Sequence, residues 1–267
     1  QSAKNFIEHL AERHGLVVSL PELAEISTNS YQEQLDAIIS QGCKILSFTF
    51  GNLDKPSIDK LKSNQITLIG TCTSIHEARI LEKSGIDIIC VQGIEAGGHR
   101  GSFSNENIPQ IGGLSLLAKI YDSVGVPLVY AGGIYNARTL LAAQTLGAQG
   151  FQIGSLLLGS EESALREFEK QRLRSLKEAD IVLTKSFSGR YARGIRNMFI
   201  ESVELAQQIL PYPYQNKLTQ ELRNVAKDNR NVDFLSIWAG QSINEYSGTS
   251  TTEIIDRLIK EIDSKNL

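Results

Sequence analysis

The chain has 267 residues, 41% of them hydrophobic and 21% charged, an ordinary globular composition able to bury a core in one domain or in one domain with an appendage. A formal net charge of -3, with the lysines and arginines spread along the chain, offers no basic field for nucleic acid, and no nucleic-acid partner is expected. The longest apolar runs, around Ile86 to Val91 and Leu156 to Leu158, fall far short of the roughly 20 residues that span a bilayer, so no membrane segment is expected, and Gln1 opens no signal-peptide pattern.

In chain order, one unit repeats: a helical stretch, a glycine near its end, then a short β-branched run. The spacing predicts a helix over Tyr31 to Ser40 ending at Gly42 and a strand over Ile45 to Phe48, then a helix near Ser57 to Lys62 and a strand from Thr67 to Gly70. A helix from Ile75 to Lys83, ended by Gly85, feeds a strand over Ile86 to Gln92; Leu114 to Ser123, ended by Gly125, feeds Pro127 to Ala131; Ala137 to Leu146, ended by Gly147, feeds Gly150 to Ile153. Glycine suits these helix ends because a left-handed cap is cheap only without a Cβ. Helices alternating with strands predict an α/β protein with a parallel sheet, and strands apolar throughout require cover on both faces. The repeat alone leaves open a barrel or a doubly wound sheet.

From about Ser160 the pattern becomes helices without intervening strands: Glu162 to Lys177, Arg196 to Leu210, Gln215 to Lys227 and Thr252 to Lys265, broken by Pro211 and Pro213. The expected organisation is therefore a βα portion over residues 1–158 and a helical appendage over 159–267 that closes the active site. Cys43, Cys72 and Cys90 lack metal-type spacing and read as small buried hydrophobes of a reducing cytoplasm, with no metal expected. His9, His14 and His76 read as solvated, and Trp238, the one tryptophan, as core. Arg190, Arg193 and Arg196 allow either surface pairing or a place beside an active site.

In both candidate architectures ligands sit at the carboxyl ends of the strands. There the sequence places Gln92-Gly93-Ile94-Glu95-Ala96-Gly97-Gly98-His99-Arg100-Gly101, with four glycines in ten residues and one imidazole among them. Such a loop lets the backbone approach a ligand and present N–H groups to it. Ala131-Gly132-Gly133-Ile134 and Gln152-Ile153-Gly154-Ser155 follow the next two strands, as in the phosphate site that barrels build after their seventh and eighth strands.

Together with Ser47-Phe48-Thr49-Phe50-Gly51, Ser188-Gly189-Arg190-Tyr191-Ala192-Arg193-Gly194 and Trp238-Ala239-Gly240-Gln241, these motifs resemble the nitronate monooxygenases, formerly 2-nitropropane dioxygenases, in the family's order from about Ile45 to Gln241. The resemblance implies a TIM (β/α)8-type barrel that holds FMN without a metal. Only 44 residues precede the Ser-Phe-Thr-Phe-Gly strand, where the family places three βα units, so this chain is expected to lack the first strands of its barrel. Gln92 and Gly97 are implied to touch the isoalloxazine or ribityl part. Gly132, Gly133, Gln152, Ile153, Gly154 and Ser155 are implied to hold the phosphate end. His99 matches the catalytic base, placed over the flavin, where an imidazole of ordinary pKa, about 6.5, suits proton transfer near neutrality. The implied reaction takes a nitronate or nitroalkane and O2 to a carbonyl compound and nitrite, a cytoplasmic detoxification; the oligomeric state is left open. Tyr135-Asn136 departs from the small and acidic residues common after Ala-Gly-Gly-Ile. The alternatives are an FMN-dependent enoyl-acyl-carrier-protein reductase using NAD(P)H, and a flavin-free scaffold.

Overall fold

A computed structural model of the chain describes residues 1–264. Lys265, the last residue of the fourth expected C-terminal helix, lies outside the described residues. In chain order the elements are α1 (Ser2–Arg13), α2 (Gln32–Ser40), β1 (Ile45–Phe48), α3 (Lys55–Ser63), β2 (Thr67–Cys72), α4 (Ile75–Lys83), β3 (Ile88–Gln92), β4 (Gly98–His99), α5 (Gly113–Tyr121), β5 (Leu128–Ala131), α6 (Ala137–Thr145) and β6 (Gly150–Gln152). There follow α7 (Glu167–Arg174), β7 (Ile181–Thr184), β8 (Ala192–Ile195), α8 (Met198–Ala206), α9 (Tyr214–Leu218), α10 (Gln220–Asp228) and α11 (Thr251–Ser264). Among the described residues no helix is long and apolar enough to cross a membrane.

The chain divides into two compact units, the first made of residues 29–96, 100–156 and 250–267 and the second of residues 1–28, 97–99 and 157–249. The first unit is a parallel sheet in the order β1-β2-β3-β5-β6, every neighbouring pair parallel and in chain order. A doubly wound sheet reverses its order at a switch point, whereas a barrel winds one way. The sequential order therefore makes this an α/β half-barrel of the TIM type, and five strands leave it unclosed. Ile89, Cys90 and Val91, three consecutive residues of β3, are all buried, which in a strand means both faces are covered. One core joins Leu61, Leu68, Leu81, Ile89, Leu116 and Ile120 between sheet and helices, and α11 adds Leu258 to it.

The turn after β2 is held by a buried acid. Glu77, 5% exposed, accepts from Thr73 N at 2.6 Å, from Thr73 Oγ1 at 2.9 Å and from Phe103 N at 2.8 Å, tying the start of α4 to the chain just past the glycine-rich loop.

The second unit corrects the expectation of helices alone after Ser160. β7 and β8 form an antiparallel hairpin, and β4 pairs with β8 so that His99 faces Ala192 and Gly98 faces Arg193. The amphipathic α1 buries Ile7 and Leu10 in the core of this unit, with Phe187, Phe199, Leu222 and Phe234, which is why the first residues of the chain group with 157–249. The helix α11 instead belongs with the half-barrel. Cys43 is exposed, contrary to expectation, because it sits in the turn after α2, while Cys72 and Cys90 are buried.

Replacing Glu77 with alanine strands three donors in the interior. At about 1–3 kcal/mol for each buried group left without its partner, Glu77→Ala should lower unfolding stability by at least about 2 kcal/mol, and Glu77→Gln by less. Urea denaturation followed by circular dichroism checks this; equal midpoints for Glu77→Ala and wild type would refute it.

Candidate active site

The loop after β3 is closed by its own side chains. Arg100, 1% exposed, donates from Nη1 to the carbonyl of Gly93 at 2.6 Å and from Nη2 to that of Gln92 at 3.1 Å. The side-chain oxygen of Gln92 accepts from the N–H of Gly101 at 2.8 Å, so the first and last residues of the segment are joined. Glu95 fastens it to the next helix: its two carboxylate oxygens accept from Gly113 N at 3.1 and 3.0 Å, and the Tyr130 hydroxyl donates to it at 2.5 Å. A Cβ on Gly113 would stand 1.7 Å from the Tyr130 oxygen, so the start of α5 must be glycine for this contact to exist. Burial, and then the Glu95 carboxylate, raise the Tyr130 phenol far above its ordinary range and keep it a donor. Glu95 was legible as part of the loop; its role as anchor was not.

Gly132 and Gly133 have φ of 121° and 70°, conformations that L side chains rarely adopt. Asn136 then caps α6, accepting from Thr139 N at 3.0 Å, a role that an acidic residue at this position would also fill. After β6, Ile153 packs on the half-barrel core, and a Cβ on Gly154 would meet nothing within 4 Å. Ser155 opens only a three-residue 3-10 turn, Ser155–Leu157, so an α-helix start follows one of the two loops and not both. Gln152 is exposed, and the thiol of Cys90 donates to its side-chain oxygen at 3.2 Å. Burial raises that thiol to about 11, so it stays protonated. Adjacent positive-φ glycines, open space at Gly154 and the hydroxyl of Ser155 fit the phosphate end of a nucleotide.

The second unit holds His99 and Gly97. His99 Nε2 lies 2.8 Å from Ser188 Oγ. Its ring meets Trp238 at 5.4 Å between centroids and the edge of Tyr212 at 6.4 Å. Trp238, expected to be core, is half-buried and packs on both Phe187 and His99. Burial first, then the charges of Arg190 and Arg223, push the His99 pKa down to about 4, well below the ordinary value expected from sequence. The basic cluster divides: Arg190 and Arg193 are 7% and 6% exposed, whereas Arg196 makes a surface pair with Glu201 at 3.6 Å. Arg223, held by Asn216 and Thr219, was not found by sequence reading, since α10 presents it among ordinary helical charges.

A sequence model of the family described as nitronate monooxygenase matches residues 2–261. The chain belongs to the nitronate monooxygenase family. A probable nitronate monooxygenase of Staphylococcus haemolyticus is 39% identical over 254 residues, covering 94% of this chain and 71% of the relative. A nitroalkane oxidase from Streptomyces ansochromogenes superposes with a TM-score of 0.89 at 27% identity, covering 98% of this chain and 76% of the other. FabK from Thermotoga maritima superposes less well, with a TM-score of 0.72 at 25% identity over 90% of this chain and 74% of its own. The family member described here is an oxidoreductase, and membership brings a flavin as its cofactor.

Because the folded state holds His99 neutral while the unfolded chain titrates near 6.5, the unfolded state binds more protons between those values, and stability must fall as pH drops from about 6.5 toward 4. His99→Gln, which does not titrate, should lose less stability over that window than wild type, measured by urea midpoints at several pH values. Parallel pH profiles would show that the imidazole titrates normally.

Proposed function

We propose that this enzyme oxidises alkyl nitronates, such as propionate 3-nitronate, with O2 to a carbonyl compound and nitrite, using FMN, as a detoxifying activity in the reducing cytoplasm. The observation that carries the reading is the setting of His99: an imidazole neutral at physiological pH, with Arg190 and Arg223 supplying positive potential around it. Positive charge favours an anion, and a base held near 4 is a weak proton acceptor, so a nitronate that has already lost its proton is the better substrate. With a neutral nitroalkane, His99 takes the proton and the arginines stabilise the nitronate that forms.

The residues that would hold FMN are Gln92 and Gly97 toward its isoalloxazine or ribityl part, and Gly132, Gly133, Gln152, Ile153, Gly154 and Ser155 toward its phosphate. When bound, FMN supplies the electron acceptance that no side chain offers, while the chain contributes position, charge and proton transfer. An enoyl-acyl-carrier-protein reductase is the competing reading. The 39% identity to a probable nitronate monooxygenase and the higher TM-score of the nitroalkane oxidase favour oxidation of nitronates.

Oxygen uptake with propionate 3-nitronate, set against NADPH oxidation with crotonyl thioesters on protein of known flavin content, tests the proposal. Uptake with the nitronate alone supports it, and thioester-dependent NADPH oxidation without uptake overturns it.

Two variants probe the parts. Since a side chain at Gly154 enters open space, Gly154→Asp should leave the melting temperature within about 2 °C and weaken FMN binding by about tenfold or more through charge repulsion, as read by flavin fluorescence titration. Unchanged FMN affinity would move the phosphate elsewhere. His99→Ala should lower kcat/KM for a neutral nitroalkane by about 10²- to 10⁴-fold and for the pre-formed nitronate by less. Equal losses would make His99 a substrate-binding group and not a base.

A further inference from the structure

Arg223 carries a positive charge that no acidic side chain answers among the described residues. Its guanidinium donates from Nε to the carbonyl of Thr219 at 3.3 Å, and from Nη2 to the carbonyl and side-chain oxygens of Asn216 at 2.9 and 3.1 Å. All three acceptors are neutral, and no hydrogen bond among the described residues engages Nη1. A guanidinium does not escape burial by losing its proton, since its ordinary pKa lies far above neutrality. Neutral oxygens satisfy its donors without cancelling its charge.

The helix that carries Arg223 is fixed to the turn beside His99. Asn216, Thr219 and Arg223 recur at helical spacing and share one face. On that face the Thr219 hydroxyl donates to the carbonyl of Phe187 at 2.6 Å, and beside it Gln215 Nε2 donates to that of Ser186 at 2.7 Å, both from fully buried side chains. The next residue of the turn, Ser188, has its Oγ 2.8 Å from His99 Nε2. Lys217, Gln220, Glu221 and Asn224 instead line an open cleft on another side of the helix. Arg223 is thus the cation of α10 on the side packed against the turn that meets the imidazole, and its charge is felt there.

We propose that Arg223 is a specificity-determining residue, which binds through Nη1 a carboxylate at the end of the substrate remote from the nitro group and so separates nitronates that carry one from nitronates that do not. The inference rests on the proposed oxidation of nitronates and deepens it. A simple alkyl nitronate has one negative charge, at its nitro end, whereas the cations around His99 come from two separate elements, Arg190 from the turn before β8 and Arg223 from α10. A substrate with an anion at each end answers both. Charge-assisted hydrogen bonds to a carboxylate are the strong ones, and the planar guanidinium suits its two oxygens.

The test compares propionate 3-nitronate with propyl 1-nitronate, which has a methyl group where the first has its carboxylate. In the wild-type holoenzyme kcat/KM should be about tenfold or more higher for the carboxylated nitronate. Arg223→Gln should bring that ratio below about threefold by raising KM for propionate 3-nitronate, with kcat/KM for propyl 1-nitronate within about threefold of wild type. Arg223→Lys, which keeps the charge and loses the fork, should fall between the two. A wild-type ratio near one overturns the proposal. So does an equal loss for both substrates in Arg223→Gln, which would make the arginine a support for the fold or for His99. A crystal structure of wild type with 3-nitropropionate decides independently of whether the variants fold: the carboxylate should lie within hydrogen-bond distance of Nη1, and a carboxylate bound elsewhere overturns the proposal. An enzyme that oxidises neither nitronate yet binds 3-nitropropionate at Nη1 upholds the carboxylate site and refutes the proposed reaction instead.

Discussion

The glycine-rich segment depends on one buried guanidinium. Taking a cation out of water is costly unless its donors find acceptors, and Arg100 offsets part of that cost by donating from Nη1 and Nη2 to the carbonyls of Gly93 and Gln92. A segment with four glycines in ten residues has little conformational preference of its own, so its shape must be imposed from outside the backbone. The arginine imposes it at one end and the Glu95 carboxylate, with Gly113 and Tyr130, imposes it near the middle. His99 is the residue immediately before that arginine.

Positive charge around an imidazole has two effects that are easily confused. It makes the ring a poorer proton acceptor, and it makes the neighbourhood a better host for an anion. Arg190 and Arg223 do both at once, which under the proposed reaction favours a substrate that is already charged over a reluctant carbon acid. The imidazole that sequence reading treats as an ordinary near-neutral base is, in its folded setting, chiefly a neutral hydrogen-bonding group.

The half-barrel was legible because its signals are local. Gly42, Gly85 and Gly147 all adopt positive φ at helix ends, and the strand beginning at Ile45 starts where its β-branched pattern does. What escaped was non-local. The β7–β8 hairpin consists of two four-residue strands, one of them Ala-Arg-Gly-Ile, whose composition carries no strand signal; its pairing with Gly98 and His99 supplies the stability that propensity does not. The groups that define His99 are likewise distant in sequence. Ser188 lies 89 residues away, and Trp238 and Arg223 lie farther still, so no spacing rule could bring them to the ring. The loops proposed to hold the phosphate stand between these cases: their glycines were legible, but the short 3-10 turn after Gly154 was not.

The helix α11 places Leu258 in the core built by β2, β3 and β5, although the whole of residues 157–249 intervenes. During synthesis the half-barrel strands emerge well before α11, whose Leu258 joins their core. That long sequence separation loads the folding of this unit with a late, high-contact-order step, during which apolar surface along α6 stays uncovered. A nascent chain therefore carries this core incomplete until α11 emerges, and a ribosome that stalls before Thr251 leaves apolar surface along α6 that invites aggregation.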